Sequence, residues 1–149
     1  MATGKMSDYG TTTYHTLPCG LKIVHRLLPG LTEYAGVAVN VGSRDERPDQ
    51  HGLAHFVEHT IFKGTSRHTA NYVLNRMEAV GGELNAYTTK EETMLYAAMP
   101  TGNVARAIAL IAELVTDSRF PERELERERE VIADEIDSYL DTPSERVYD

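Results

Sequence analysis

The chain has 149 residues, of which 41% are hydrophobic and 26% are charged, which is the composition of a globular domain. Its 23 acidic side chains outnumber the 15 basic ones, and the net charge of -8 disfavours binding to nucleic-acid phosphates. The apolar stretches are far shorter than the ~20 residues that cross a bilayer, and a single cysteine excludes an internal disulfide. We therefore expect one domain of a cytoplasmic protein that binds neither nucleic acid nor a membrane.

The predicted elements begin after a flexible tail over residues 1–10. Two extended runs, 11–17 and 21–28, flank the turn sequence Pro18-Cys19-Gly20 and predict a hairpin. Residues 33–41 alternate between apolar and polar, which is typical of a strand with one buried face. The N-terminal part of the fold is therefore expected to be a group of antiparallel strands.

Helices and a second hairpin are predicted next. A charged loop precedes a helix at 51–62, and a second helix at 69–80 ends at Gly81, a residue suited to a left-handed C-cap. Residues 83–88 and 93–99 are then predicted to form the second hairpin.

Two longer helices follow, at 103–116 and 121–140. Because the strands come in hairpins, we expect an α+β fold, a two-layer sandwich with a mainly antiparallel sheet packed against helices. Thr142-Pro143-Ser144-Glu145 carries the capping signals of another helix, and a helix of about one turn is not stable. We therefore predict that residues 11–149 are the N-terminal part of a longer, incomplete domain.

The motif that carries chemistry is His55-Phe56-Val57-Glu58-His59, an H-x-x-E-H pattern on a predicted helix. Side chains at i and i+4 project from one helix face, so both imidazoles can bind one metal ion. Glu58 lies near that face, where it can hydrogen-bond a water at an open coordination position. Two nitrogen ligands favour zinc. The alternative is a pair of partly buried, hydrogen-bonded histidines beside a solvated Glu58.

A catalytic zinc needs a third protein ligand, and the helix at 121–140 is rich in acids. Advancing by about 100° per residue places Glu128 and Glu135 on the apolar arc of this helix. The other members of the arc are Leu125, Val131, Ile132, Ile136 and Tyr139. A carboxylate on an inward face needs a positive partner, which is either a metal or an arginine or lysine across the fold.

The segment from Gly52 to His59, followed by Phe62-Lys63-Gly64-Thr65, resembles the zinc-site segment of the pitrilysin, insulin-degrading enzyme and mitochondrial-processing-peptidase family. In that family a glutamate completes the site at a fixed distance after the second histidine. Glu135 stands at that distance, 76 residues after His59. The helix arc and the resemblance therefore select the same residue.

The resemblance implies a role for each residue of the site. His55, His59 and Glu135 hold zinc, and Glu58 is the general base. Glu128 is an accessory acid, and its alternative is a solvated position on the acid-rich helix.

The segment from Gly81 to Thr88 resembles the strand on which that family binds its substrate as an added strand. The resemblance implies that Asn85, Ala86 and Tyr87 pair with a peptide substrate in extended form. The alternative is that Asn85 is a turn residue and Tyr87 a packing aromatic. Enzymes of this family have two related halves, in one chain or in two subunits, and the second half closes over the substrate.

The resemblance therefore implies a zinc-dependent endopeptidase. This chain would be its zinc-bearing N-terminal fragment, weakly active or inactive without the missing C-terminal half or partner subunit. Two other classes stay open. A non-catalytic metal-binding or assembly module of the same fold does not need a base such as Glu58, and a zinc hydrolase of small molecules would have a closed pocket and no exposed edge strand.

Overall fold

The computed structural model describes residues 10–141 and, within them, every side chain except those of Tyr139 and Leu140. These residues belong to two units, which divide between Leu31 and Thr32. The helix start predicted at 142–145 and nearly all of the predicted tail lie outside the described residues.

The first unit contains the predicted N-terminal hairpin. Strand β1 (Thr12–Thr16) pairs antiparallel with β2 (Lys22–Arg26). Gly20 has a φ of 92° in the turn between them, a conformation that glycine adopts without steric cost. The hairpin prediction is confirmed, with strands that are shorter at both ends than the extended runs.

Over residues 32–141, the sheet of the second unit contains three antiparallel strands. They are β3 (Thr32–Val39), β4 (Glu83–Thr88) and β5 (Thr93–Pro100), in the spatial order β3–β5–β4. The central strand β5 buries alternate residues, because successive side chains of a strand point to opposite faces. The order also leaves β4 at an edge of this sheet.

In the part of the chain that the structure describes, four α-helices accompany the sheet: α1 (Leu53–Thr60), α2 (Ala70–Glu78), α3 (Val104–Asp117) and α4 (Glu122–Leu140). A short 3-10 turn at Ser43–Asp45 precedes α1. None of the helices in residues 10–141 combines the length and the apolar character that a bilayer crossing requires.

The core lies between β5 and the helices α2 and α3. Its buried apolar residues are Val73, Met77, Leu95, Ala97, Met99, Ala107, Leu110, Ile111 and Leu114. Burying each of the larger side chains stabilises the fold by about 1.5–3 kcal/mol. The predicted α+β class, with an antiparallel sheet packed against helices, is confirmed by this arrangement.

The turn from α2 into β4 follows the predicted left-handed cap. Gly81 has a φ of 73°, and the Gly82 N–H donates to the Met77 carbonyl at 3.0 Å. A Cβ atom at Gly82 would lie 2.8 Å from the carbonyl oxygen of Ala98 on β5. The pair Gly81-Gly82 therefore allows the chain to turn directly from α2 into β4 of the sheet.

Candidate metal centre

Gly52 and the buried carboxylate of Glu46 set the N-terminus of helix α1. Gly52 has a φ of 87°, which interrupts the helix there and explains why the predicted start at residue 51 is wrong. Glu46 accepts the backbone N–H groups of Gly52 and Ala54 at 2.7 Å each, and its side chain is only 6% exposed. It therefore satisfies two N–H groups that the first turn of a helix leaves unpaired. Glu46 fixes where the helix starts, shortly before His55.

The two histidines of α1 meet as their spacing predicts. The Nε2 atoms of His55 and His59 lie 3.2 Å apart, and the rings cross at 86°. Both residues are half-buried. Two ring nitrogens so close together, on a helix that holds them one turn apart, converge on a common point.

Glu135 of α4 reaches the same point. Its Oε2 atom lies 3.7 Å from Nε2 of His55 and 3.4 Å from Nε2 of His59. The three ligand atoms all lie within 4.8 Å of one another. Two ligands on a tetrahedral zinc, each bound at ~2.0–2.1 Å, are about 3.3 Å apart. The donor set and its separations therefore fit zinc.

Glu135 lies on the side of α4 that faces α1, as its helical position predicts, but the expectation that Glu135 is buried there is wrong. Its side chain is 55% exposed, and Val131 and Ile136 are exposed to 50% and 52%. Among the arc residues whose side chains the structure describes, which exclude Tyr139, only Leu125, Glu128 and Ile132 are half-buried. The physical reason is that α4 packs mainly against one neighbour in the described residues, α1. Glu135 is therefore distinguished by its proximity to the histidines and not by burial.

Glu128 joins the site through His59. One of its carboxylate oxygens lies 3.2 Å from Nδ1 of His59, and the other lies 2.6 Å from Nζ of Lys63. The Glu128 side chain is 12% exposed, so the alternative of a solvated acid is wrong. Burial raises the pKa of the Glu128 carboxyl, but hydrogen bonds from Lys63 and His59 outweigh it, so that the pKa falls below its ordinary value.

Lys63 and Glu46 are the two site residues that the sequence reasoning missed. Lys63 stands four residues after His59, a helical spacing that could have identified it, although α1 ends at Thr60. A lysine partner was the competing explanation for an inward carboxylate, and it applies to Glu128. Glu46 binds N–H groups six and eight residues later, beyond the spacing of a local capping box.

Glu58 faces the sheet side of α1. It is half-buried and lines the same narrow cavity as Ala86 of β4. The Thr88 hydroxyl of that strand lies 3.5 Å from the Ala54 carbonyl of α1. The predicted base and the predicted substrate strand are therefore neighbours.

Residues of β4 alternate between exposed and half-buried, so that Asn85 and Tyr87 lie on the exposed face and Ala86 lies on the other. Asn85 stands opposite Tyr96 in the middle of the paired strands, so its alternative as a turn residue is wrong. Tyr87 donates to Glu92 at 3.2 Å and packs near the Tyr96 ring, while burial and the Glu92 contact raise the pKa of the Tyr87 hydroxyl. Within residues 32–141, β4 pairs with β5 and has no strand on its other edge.

An antiparallel α+β fold that brings two imidazoles and a carboxylate together beside an edge strand fits the metallopeptidase class. Comparison with known proteins agrees. The model of the insulinase family, peptidase family M16, matches residues 29–149. The chain therefore belongs to the insulinase family, and the resemblance drawn from its motifs is confirmed.

Relatives of known sequence and structure are considerably longer. The chain is 39% identical to an uncharacterised zinc protease of Streptomyces coelicolor, over 94% of the chain and 31% of the relative. It is 42% identical to an uncharacterised zinc protease of Mycobacterium leprae, over 90% of the chain and 30% of the relative. A protease from Helicobacter pylori has a similar structure, with a TM-score of 0.87, 29% identity and coverage of 93% and 34%. The chain thus spans about a third of the length of these relatives.

Proposed function

We propose that this chain is the zinc-binding part of a zinc-dependent endopeptidase. The observation that carries the proposal is the convergence of His55, His59 and Glu135, whose ligand atoms lie within 4.8 Å of one another. Two imidazole nitrogens and one carboxylate oxygen are a ligand set of catalytic zinc. The names of the relatives, zinc proteases, support the choice of metal.

Glu58 is the proposed general base. Zinc, when bound, supplies Lewis acidity, which lowers the pKa of water to about 7 and polarises a carbonyl group. Glu58 takes a proton from the attacking water as the water oxygen bonds to the peptide carbonyl carbon. It then gives the proton to the departing amine as the carbon–nitrogen bond breaks. Its half-buried position, in the same narrow cavity as Ala86 of β4, supports this role.

Strand β4 is the proposed binding surface for the peptide. Its outer edge can pair with the main chain of an extended peptide, and Asn85, Ala86 and Tyr87 lie along it. Main-chain hydrogen bonds do not depend on side chains, so this mode accepts varied sequences. The narrow cavity that Glu58 and Ala86 both line supports a base close to this strand.

Glu128 is the proposed accessory acid. It accepts a hydrogen bond from the Nδ1–H of His59, which leaves Nε2 free to bind zinc. We further propose that the chain hydrolyses peptides weakly or not at all alone. Its coverage of about a third of its relatives supports a missing C-terminal half or partner subunit that completes the site.

Zinc binding is tested first, by titrating the metal-free chain against a chromophoric chelator. The wild-type chain should bind one zinc, and His59→Ala should weaken binding by more than about 100-fold, because it removes a ligand. His25→Ala is the matched control, because His25 is an exposed histidine of β2. Equal zinc binding by His59→Ala and the wild type would contradict the metal site.

Peptide hydrolysis is tested second, with a fluorogenic peptide library and zinc-loaded protein. The chain alone should be nearly inactive, and a protein extended to the length of its relatives should cleave peptides. Glu58→Gln in the extended protein should reduce cleavage by about 10²- to 10⁴-fold while retaining zinc. An extended protein that binds zinc without cleaving any peptide would favour a non-catalytic module, and cleavage of small molecules alone would favour a different hydrolase.

A further inference from the structure

Lys63 contacts Glu128, which in turn contacts His59. Its ammonium group is 2.6 Å from Oε1 of Glu128, and Oε2 of Glu128 is 3.2 Å from Nδ1 of His59. The side chains of Lys63, Glu128 and His59 are 26%, 12% and 22% exposed. A largely dehydrated ion pair of this kind holds its geometry better than a pair in water. Both oxygens of the Glu128 carboxylate therefore have fixed partners.

The position of Lys63 is unexpected on charge alone. A lysine close to a site for a divalent cation repels that cation, so its charge lowers zinc affinity. The charge of Lys63 has a second effect, on Glu128. Without a partner, the Glu128 carboxylate can rotate about three side-chain bonds and accept hydrogen bonds from water instead of from the His59 ring. The salt bridge to Lys63 restricts Glu128 to one orientation, and that orientation directs the second oxygen at the ring.

We propose that Lys63 is a positioning residue that holds Glu128 against Nδ1 of His59 and so presents Nε2 of that ring to the metal. The inference rests on the proposed zinc site. It assigns Lys63 a function through Glu128, without contact to the metal or the substrate. A hydrogen bond at one ring nitrogen sets which nitrogen carries the proton, and so which one has a free lone pair.

The first test measures zinc affinity by chelator competition in a double-mutant cycle. Lys63→Met should weaken zinc binding by about 10-fold, the lower end of the range for residues that orient a ligand. Lys63→Arg should retain most of the affinity, because it keeps a cation beside Glu128. Lys63→Met in a Glu128→Gln background should cause no further loss, because the residue through which Lys63 acts is already changed.

Arg127→Met is the matched control. Arg127 is 3.6 Å from Glu124 in an exposed pair on α4, with 62% of its side chain in solvent, so its loss removes one positive charge and no buried contact. Zinc affinity should be unchanged or slightly higher in this variant, because the net charge becomes more negative.

The second test needs no metal. Nitrogen NMR of the imidazole rings, at a pH where they are neutral, reports which nitrogen carries the proton. In the metal-free wild type the His59 ring should be protonated mainly at Nδ1, and Lys63→Met should shift it toward a mixture. The His25 ring, on the exposed strand β2, is the internal control, because the His55 and His59 rings contact each other through Nε2 and their tautomers are coupled. A lysine that only stabilised the fold would not change this ratio in a folded variant.

The outcomes are distinguishable. Failure of the wild-type chain to bind zinc would remove the proposed function and leave the NMR test of Lys63 intact. Tighter or equal zinc binding by Lys63→Met would overturn the inference, because it would show that only charge matters. Additional loss in the Glu128→Gln background would also overturn it. If Lys63→Met alone does not fold, Lys63→Arg and the double variant remain as tests. Zinc binding by Lys63→Arg that is as weak as that of Glu128→Gln would overturn the inference, and so would a further loss in the double variant relative to Glu128→Gln.

Discussion

Oε2 of Glu135 lies 3.4 Å from Nε2 of His59, although 76 residues separate the two in the sequence. The contact joins α4 to α1, and Glu128 makes a second contact between the same helices on the other ring nitrogen of His59. One imidazole is therefore held at both nitrogens by carboxylates seven residues apart on α4. Seven residues are about two helical turns, so both acids face α1.

Removal of the Glu135 carboxylate should weaken zinc binding. Glu135→Gln is expected to lower zinc affinity by more than about 100-fold, since it removes a charged ligand and not merely a residue that orients one. Asp134→Asn is the matched control, because Asp134 is the preceding residue, is exposed, and has no contact with the histidines. Chelator competition measures both. Equal losses in the two variants would show that net charge, and not ligation, governs binding.

Loss of the buried Glu46 carboxylate should destabilise α1. Glu46→Ala leaves the N–H groups of Gly52 and Ala54 without this acceptor, and we expect the free energy of unfolding to fall by about 1.5–3 kcal/mol. Asp49→Ala, at an acid that is 74% exposed, should change stability little. Urea unfolding of the metal-free chain gives both values. A loss below 0.5 kcal/mol at Glu46 would argue against the cap.

Glu113 should make stability depend on pH. The Thr65 hydroxyl donates to Oε1 of Glu113 at 2.5 Å, and Nδ1 of His68 lies 2.8 Å from the same oxygen. These hydrogen bonds, with a smaller effect from the Arg67 charge, lower the pKa of the Glu113 carboxyl below its ordinary value of 4.5. The unfolded chain therefore binds a proton more readily, and the stabilisation is complete above about pH 4.5 and is lost as the pH falls through the folded-state pKa.

The measurement compares urea unfolding of the wild type and Glu113→Gln. The wild type should be more stable by about 1–3 kcal/mol near neutral pH, and the difference should shrink below pH 4.5. Glu126→Gln is a control at an acid that is 68% exposed. A difference that persists unchanged in acid would exclude the ionised carboxylate as its source.

The edge of β4 should recognise the backbone of a peptide. The N–H groups of a strand point alternately toward and away from its neighbour, so N-methylation at one set of alternate residues removes hydrogen bonds to β4 and N-methylation at the other set does not. The first peptide should bind about 3- to 10-fold more weakly per lost hydrogen bond. Fluorescence anisotropy with the zinc-loaded Glu58→Gln chain measures this without cleavage. Equal binding of the two peptides would contradict strand addition.

Local structure and the candidate metal ligands could be predicted from residue patterns alone. Gly81 predicted the end of α2, because glycine readily adopts the left-handed backbone conformation that commonly ends a helix. The i, i+4 spacing of His55 and His59 placed both rings on one helix face. Helical periodicity also brought Glu128 and Glu135 onto one arc. These features depend on short spacings, which a helix converts directly into directions.

The groups that surround those ligands, by contrast, are set by how the helices and strands pack against one another. The salt bridge of Lys63 with Glu128 and the cap formed by Glu46 join residues whose separation in sequence carries no periodic signal. The exposure of Glu135 likewise depends on which neighbours cover α4. Contacts of this kind arise when separately formed elements pack, so they depend on the relative placement of whole elements, which local backbone preferences do not encode.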